Sequence, residues 1–202
     1  MQAADPRDWP LIDVADVGFM AFLLLLTLMG AARIGELLVA RRLTHQAAQR
    51  GAKARPEPIF VLMVVVHVLP FVLAPIEVIV FDPVFSPALF VACTTALVAL
   101  AALRVWTLRT LGAMWNVRIV EPSAVVVAGP YRFVRHPNYA IVIAELFLLP
   151  LAHRCWMTLL VLSSLNAVVL FFRIRAEEAV LFTLPSYAET MSKKKRFIPG
   201  VF

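Results

Sequence analysis

Charge is what this chain has least of. Only 16% of its 202 residues are Asp, Glu, Lys or Arg, against about a quarter in soluble domains. It has two cysteines, Cys93 and Cys155, with no CxxC and no Cys/His pair at ligand spacing. That gives no support to a zinc module; both residues read as small buried hydrophobes, with pairing between them open only if their two segments align. No GxGxxG run occurs, so a Rossmann dinucleotide domain has no support. The N-terminus, MQAADPRDWPLIDVADVG, lacks the positive start of a cleaved signal peptide. The first apolar block is therefore expected to remain as a membrane span. No internal repeat or low-complexity linker interrupts the chain, and no polar segment is long enough for an independent soluble domain.

What is present is apolar: 61% of the residues are hydrophobic. They fall in five blocks, 17–40, 59–81, 87–106, 139–152 and 156–172. A span needs about 20 residues, with roughly 17 as the lower limit. The block 139–152 must then borrow from its flanks or dip in without crossing. With the block 156–172 it predicts a helical hairpin. The expected fold is an all-α integral membrane protein of about five transmembrane helices, with a small cytoplasmic cofactor-binding region, in one domain over 1–202. Residues 17–106 supply three spans and 107–202 the core that carries the hairpin and the C-terminal segment.

The net charge of +6 gathers between blocks, which suits anionic headgroups and excludes nucleic acid as the partner. Arg41, Arg42, Arg50, Lys53 and Arg55 oppose Glu57 alone in one loop. Arg109, Arg118, Arg132 and Arg135 lie in a second, and Lys193, Lys194, Lys195 and Arg196 in the tail. By the positive-inside rule the N-terminus is expected outside and the C-terminus in the cytoplasm.

Some polar residues stand where lipid would forbid them. Arg33 and Glu36 share a helical face in the first block, His67 and Glu77 lie in the second, and Arg104 ends the third. Asn166, Arg173 and Glu177 continue along one stripe of the last. A charge at mid-membrane costs about 2.5 kcal/mol or more, so such groups face protein or water and often mark function. Arg33 and Glu36 either neutralise each other or meet a ligand. His67 is either a satisfied core histidine or a proton acceptor.

Because a hairpin returns its ends to one side, Arg135, His136, Asn138 and Tyr139 are expected to meet Arg173, Arg175, Glu177 and Glu178. Pro137 biases His136 away from helical backbone and suits a helix first turn. Carboxylates, arginines, an imidazole and a phenol suit a zwitterionic, polyhydroxylated ligand such as S-adenosylmethionine. No metal is expected.

GPYRFVRHPNY, RIRAEEAVL and SYAETMSKKKRFIPG together resemble the isoprenylcysteine carboxyl methyltransferase family of membrane enzymes, over about Leu103 to Phe202. RIGELLVARR, His67, Glu77 and LGAMWNVRI are similar to its bacterial branch, which resembles methyltransferases of alkylpyrones and related polyketide lipids. The resemblance implies S-adenosylmethionine-dependent methyl transfer to a lipophilic acceptor, in a bacterial plasma membrane. It places the cofactor on Arg135, His136, Pro137, Tyr139 and Glu177, with Arg173 and Glu178 at the junction with the acceptor. Arg33, Glu36, His67, Glu77 and Asn166 are the candidate acceptor-binding residues. These polar groups exceed what a prenyl tunnel needs and favour a lipid with a polar ring. Two alternatives stand: an isoprenylcysteine acceptor, and an NADPH-dependent reductase, since membrane sterol reductases carry a similar RHPNY segment.

Overall fold

A computed structural model describes residues 14–49, 58–118 and 125–199. The acidic N-terminus and the loop charges Arg50, Lys53, Arg55 and Glu57 lie outside the described residues. Those described are helical, with no strand among them and one isolated parallel bridge, Val134 to Lys195. The elements are α1 (Val14–Gln49), α2 (Phe60–Val68), α3 (Pro70–Phe81), α4 (Pro87–Leu111), α5 (Pro137–Leu151), α6 (Trp156–Leu181) and α7 (Pro185–Met191).

Helices α2 and α3 are one rod divided at Leu69, which keeps helical dihedrals and its bond to Val65. The division falls there because Pro70 has no N–H to continue the ladder. Four helical segments are long and apolar enough to cross a membrane: Asp16–Gln49, Phe60–Phe81, Pro87–Met114 and Trp156–Leu181. Helix α5 is apolar but has 15 residues, about 22 Å at 1.5 Å per residue, short of a hydrocarbon core of about 30 Å. It runs into a tight turn through Arg154, which takes a positive φ of 56°, and returns as α6. The expected hairpin is therefore present. The outer surface is that of a protein in lipid, with Ile79 71% and Val61 70% exposed, which water would penalise over so wide an area.

Two apolar clusters hold the bundle. Phe22 and Leu26 of α1 pack with Ala74 and Val78 of α3, Leu97 of α4, Leu149 of α5 and both free cysteines. Val66 of α2 packs with Val142 and Leu146 of α5 and Leu162 and Val169 of α6. Helix α5, packed on both α4 and α6, is the centre of the fold.

Glu77 joins this framework rather than a binding site. Its carboxylate accepts from the backbone N–H of Met157 at 2.9 Å and of Thr158 at 2.7 Å, and from the Thr158 hydroxyl at 2.6 Å. The first N–H groups of a helix have no partner within it, and a carboxylate there also meets the positive end of the dipole. Cys155 at the N-cap supplies no side-chain cap, so Glu77 caps α6 from α3.

Candidate functional site

The GPYR run forms a 3-10 turn, Gly129–Arg132, laid against α4. Gly129 has φ +52° and a Cβ there would stand 2.5 Å from the Thr110 hydroxyl, so this contact requires glycine. The chain then pairs with its own C-terminal segment: Arg135 N–H donates to Lys195 O and His136 N–H to Arg196 O, both at 2.9 Å. His136 is the N-cap of α5, in non-helical backbone (φ −125°, ψ 60°), with Pro137 at the first helical position. Pro137 thus acts by shaping the backbone: it is buried behind His136 and does not reach the cavity wall.

The hairpin brings α5 and α6 together at this end. Glu178 Oε1 accepts from His136 Nε2 at 3.1 Å, and Arg135 stands 3.4 Å from the same oxygen. Arg196 completes the contact as a fork, at 3.2 Å to Oε1 and 2.6 Å to Oε2. The Glu178 carboxylate raises the pKa of Arg196 further, so this pair stays charged throughout. Glu178 therefore clasps three segments and, buried in that role, is absent from the cavity wall. Glu178, expected at a reacting junction, thus stands in the clasp between these segments.

Its neighbour Glu177 faces the other way. It accepts from the Tyr139 hydroxyl, and that hydroxyl accepts from Arg173 Nε at 2.9 Å. Arg173 also donates to the carbonyl of Val117. The rings of His136 and Tyr139 stack at 5.3 Å. Arg175, one turn short of Glu178, lies over the Phe171 ring at 4.4 Å and is outside this group.

These residues open onto a cavity of about 570 Å³, a size suited to a cofactor or a drug-sized ligand. One end is polar: Arg135, Asn138, Tyr139, Arg173, Glu177 and Tyr187. Burial pushes the phenols of Tyr131 and Tyr187 well above their ordinary pKa, with Glu177 adding to the shift, so both remain neutral. The other end runs between the apolar side chains of Ile34, Leu37, Val64, Val68 and Phe71. Between them His67 and Asn166 reach the wall. Six buried atoms around the cavity have no hydrogen-bond partner among the described residues: Arg33 Nε and Nη1, Arg135 Nε, Asn138 Oδ1, Asn166 Oδ1 and the Tyr187 hydroxyl. Buried polar atoms are paired in the great majority of cases, so orphans around a cavity signal a polar ligand.

A second charged group borders the cavity within the bundle. Arg104 of α4 holds Glu36 of α1 at 3.0 Å and Glu145 of α5 at 2.7 Å. Arg33 of α1 lies 3.0 Å from Glu36 and 3.5 Å from Glu145. Its Nη1 is near enough to Glu36 for an ion pair but not aligned for a hydrogen bond. Two cations and two anions so form a closed, neutral ring. Of the candidate acceptor-binding residues, Arg33, Glu36, His67 and Asn166 line the cavity, and Glu77 does not.

Sequence reasoning missed Glu145, although the signal was available: it is a carboxylate in the middle of the block 139–152.

With this geometry described, two comparisons apply. Residues 90–183 match the isoprenylcysteine carboxyl methyltransferase family. The uncharacterised protein YpbQ of Bacillus subtilis is 33% identical over 162 residues, which cover 79% of this chain and 96% of that protein. The chain belongs to the isoprenylcysteine carboxyl methyltransferase family. As an integral membrane member of a methyltransferase family, it carries the family match across α4, the 3-10 turn, α5 and α6, the segments that build the polar end of the cavity.

Proposed function

We propose that this chain is an S-adenosylmethionine-dependent methyltransferase acting on a lipophilic acceptor at the cytoplasmic membrane interface, by O-methylation of an alkylpyrone-like lipid. The observation that carries this reading is a single cavity with two ends, one rich in orphaned polar atoms and one apolar. The polar end suits the cofactor. Glu177 offers a carboxylate to hydroxyl or ammonium donors, the unpartnered Arg135 Nε is a donor for a carboxylate, and Asn138 Oδ1 accepts from an amine. When bound, S-adenosylmethionine supplies a methyl group made electrophilic by the sulfonium.

The protein's part is placement and exclusion of water. Tyr139 holds Arg173 and Glu177 in register, so the guanidinium is fixed on the cavity wall. There it favours an acceptor oxygen as it gains negative charge. Holding both reactants in line contributes about 7 kcal/mol or more in the best cases. The apolar end is bordered by lipid-facing residues of α1 and α2, which suits delivery of the acceptor from the bilayer.

In this reading the chain is one domain, with the N-terminus outside and the C-terminus cytoplasmic. An isoprenylcysteine acceptor would leave the polar middle of the cavity without a partner. Nicotinamide phosphates would call for more cations than the polar end holds. The test is methyl-labelled S-adenosylmethionine incubated with purified protein and a lipid extract. The reading expects label in a lipid product and thermal stabilisation by S-adenosylmethionine but not by NADPH. Stabilisation by NADPH alone, or no labelled lipid, rejects it.

A further inference from the structure

His67 is set up as a base by its own helix. Its Nδ1 lies 2.8 Å from the carbonyl of Met63, one turn earlier. A carbonyl only accepts, so Nδ1 carries the hydrogen and the lone pair of the neutral ring is left on Nε2. That nitrogen has no hydrogen-bond partner among the described residues, and the side chain stands on the cavity wall. The same cavity is lined from α6 by Asn166, 3% exposed, with Oδ1 unpartnered. The charged groups around His67 are Arg33 and Glu36 from α1, Arg104 from α4, Glu145 from α5 and Arg173 from α6. Both carboxylates of the ring are held by Arg33 and Arg104. Glu36, the other candidate for proton acceptance, is therefore already committed.

We propose that His67 Nε2 takes the proton of the acceptor's hydroxyl, while Asn166 holds a second polar atom of the same headgroup. The inference rests on the O-methyltransferase reading above and assigns its base. In the step the acceptor's O–H bond breaks and the proton passes to Nε2, giving an imidazolium. The oxygen's electron pair forms the new O–CH3 bond, and the pair of the broken S–CH3 bond stays on sulfur. The imidazolium then returns its proton to water after product leaves.

The test uses the full chain in lipid nanodiscs, methyl-labelled S-adenosylmethionine, and a lipid extract from source cells lacking the gene. His67→Gln keeps an acceptor of similar reach but removes the base. It is expected to lower label transfer about 100-fold near pH 7, the lower range for a general base, and to abolish the rise of rate with pH. Its S-adenosylmethionine affinity, read by calorimetry, should be unchanged. Added imidazole should restore transfer in His67→Ala. In the wild type, histidine nitrogen-15 shifts should show His67 as the neutral Nδ1–H tautomer, and these decide the matter if His67→Gln loses cofactor binding as well.

Transfer in His67→Gln within about threefold of wild type, with the same pH profile, overturns the assignment. So does an Nε2–H tautomer, or label in an alkali-labile methyl ester, because a carboxylate needs no base. Wild type that binds no S-adenosylmethionine or labels no lipid overturns the methyltransferase reading itself, and this inference with it.

Discussion

The molecule holds two dense groups of charge, and they differ in how they are satisfied. The ring of Arg33, Glu36, Arg104 and Glu145 closes on itself across α1, α4 and α5. The group at the charged end divides in two. Glu178 is fully engaged by His136, Arg135 and Arg196. Glu177, Tyr139 and Arg173 face a cavity whose wall carries orphaned atoms. Closed groups hold helices together, and in the proposed function the open one is where a ligand completes the pairing. Proximity of charges in itself does not separate the two, whereas the partners of the carboxylates do: arginines hold Glu36, Glu145 and Glu178, and the Tyr139 hydroxyl holds Glu177.

The comparison breaks first at the ring. Glu145→Ala leaves Arg104 buried with half its compensation, and removing one partner of a buried pair costs about 3–5 kcal/mol. We expect a loss of that order in denaturant unfolding, with S-adenosylmethionine affinity of the folded fraction unchanged. Removing Arg104 as well, as in Glu145→Leu with Arg104→Leu, leaves the neutral pair Arg33–Glu36 and should recover most of the loss. If the double variant is no more stable than the single one, the ring is not a closed unit.

Next is the clasp. Glu178→Ala removes the acceptor shared by His136, Arg135 and Arg196, and each lost charged hydrogen bond is worth about 1.5–3 kcal/mol. Hydrogen exchange should rise at the backbone bonds of 135 and 136 to 195 and 196, ahead of any change in the bundle.

Glu177→Ala sharpens the contrast between adjacent residues. It should reduce S-adenosylmethionine affinity about tenfold or more, the equivalent of one charge-assisted bond, with little effect on unfolding. Arg173→Ala should lower turnover more than affinity.

The smallest effect belongs to Glu77→Ala. Loss of a helix cap costs about 1–2 kcal/mol and should leave cofactor affinity untouched. A change in affinity there would return Glu77 to the binding site.

Much of this was legible in the chain. The hairpin follows from two apolar blocks separated by three residues, and it obliges His136 and Tyr139 to approach Glu177 and Glu178. What periodicity does not decide is which of two adjacent glutamates faces a ligand. They are about 100° apart on the helix, and the choice depends on Arg196, which reaches Glu178 only because the C-terminal segment pairs with 134–136. The capping role of Glu77 was not legible for a related reason: its partners are mainly backbone N–H groups of another helix, which leave no pattern in the sequence. Glu145 stood out as a lone carboxylate, but its partners lie on α1 and α4, and only helix packing brings them together. Helix α6 runs past the apolar block to Leu181, as the stripe of Asn166, Arg173 and Glu177 implies.

The most direct test of the central claim is calorimetric titration of S-adenosylmethionine into wild-type protein and Glu177→Ala side by side. The account predicts saturable binding to one site per chain, weakened about tenfold or more by the substitution, at an unchanged unfolding midpoint. Equal affinity in the two proteins, or no binding to wild type, would contradict it.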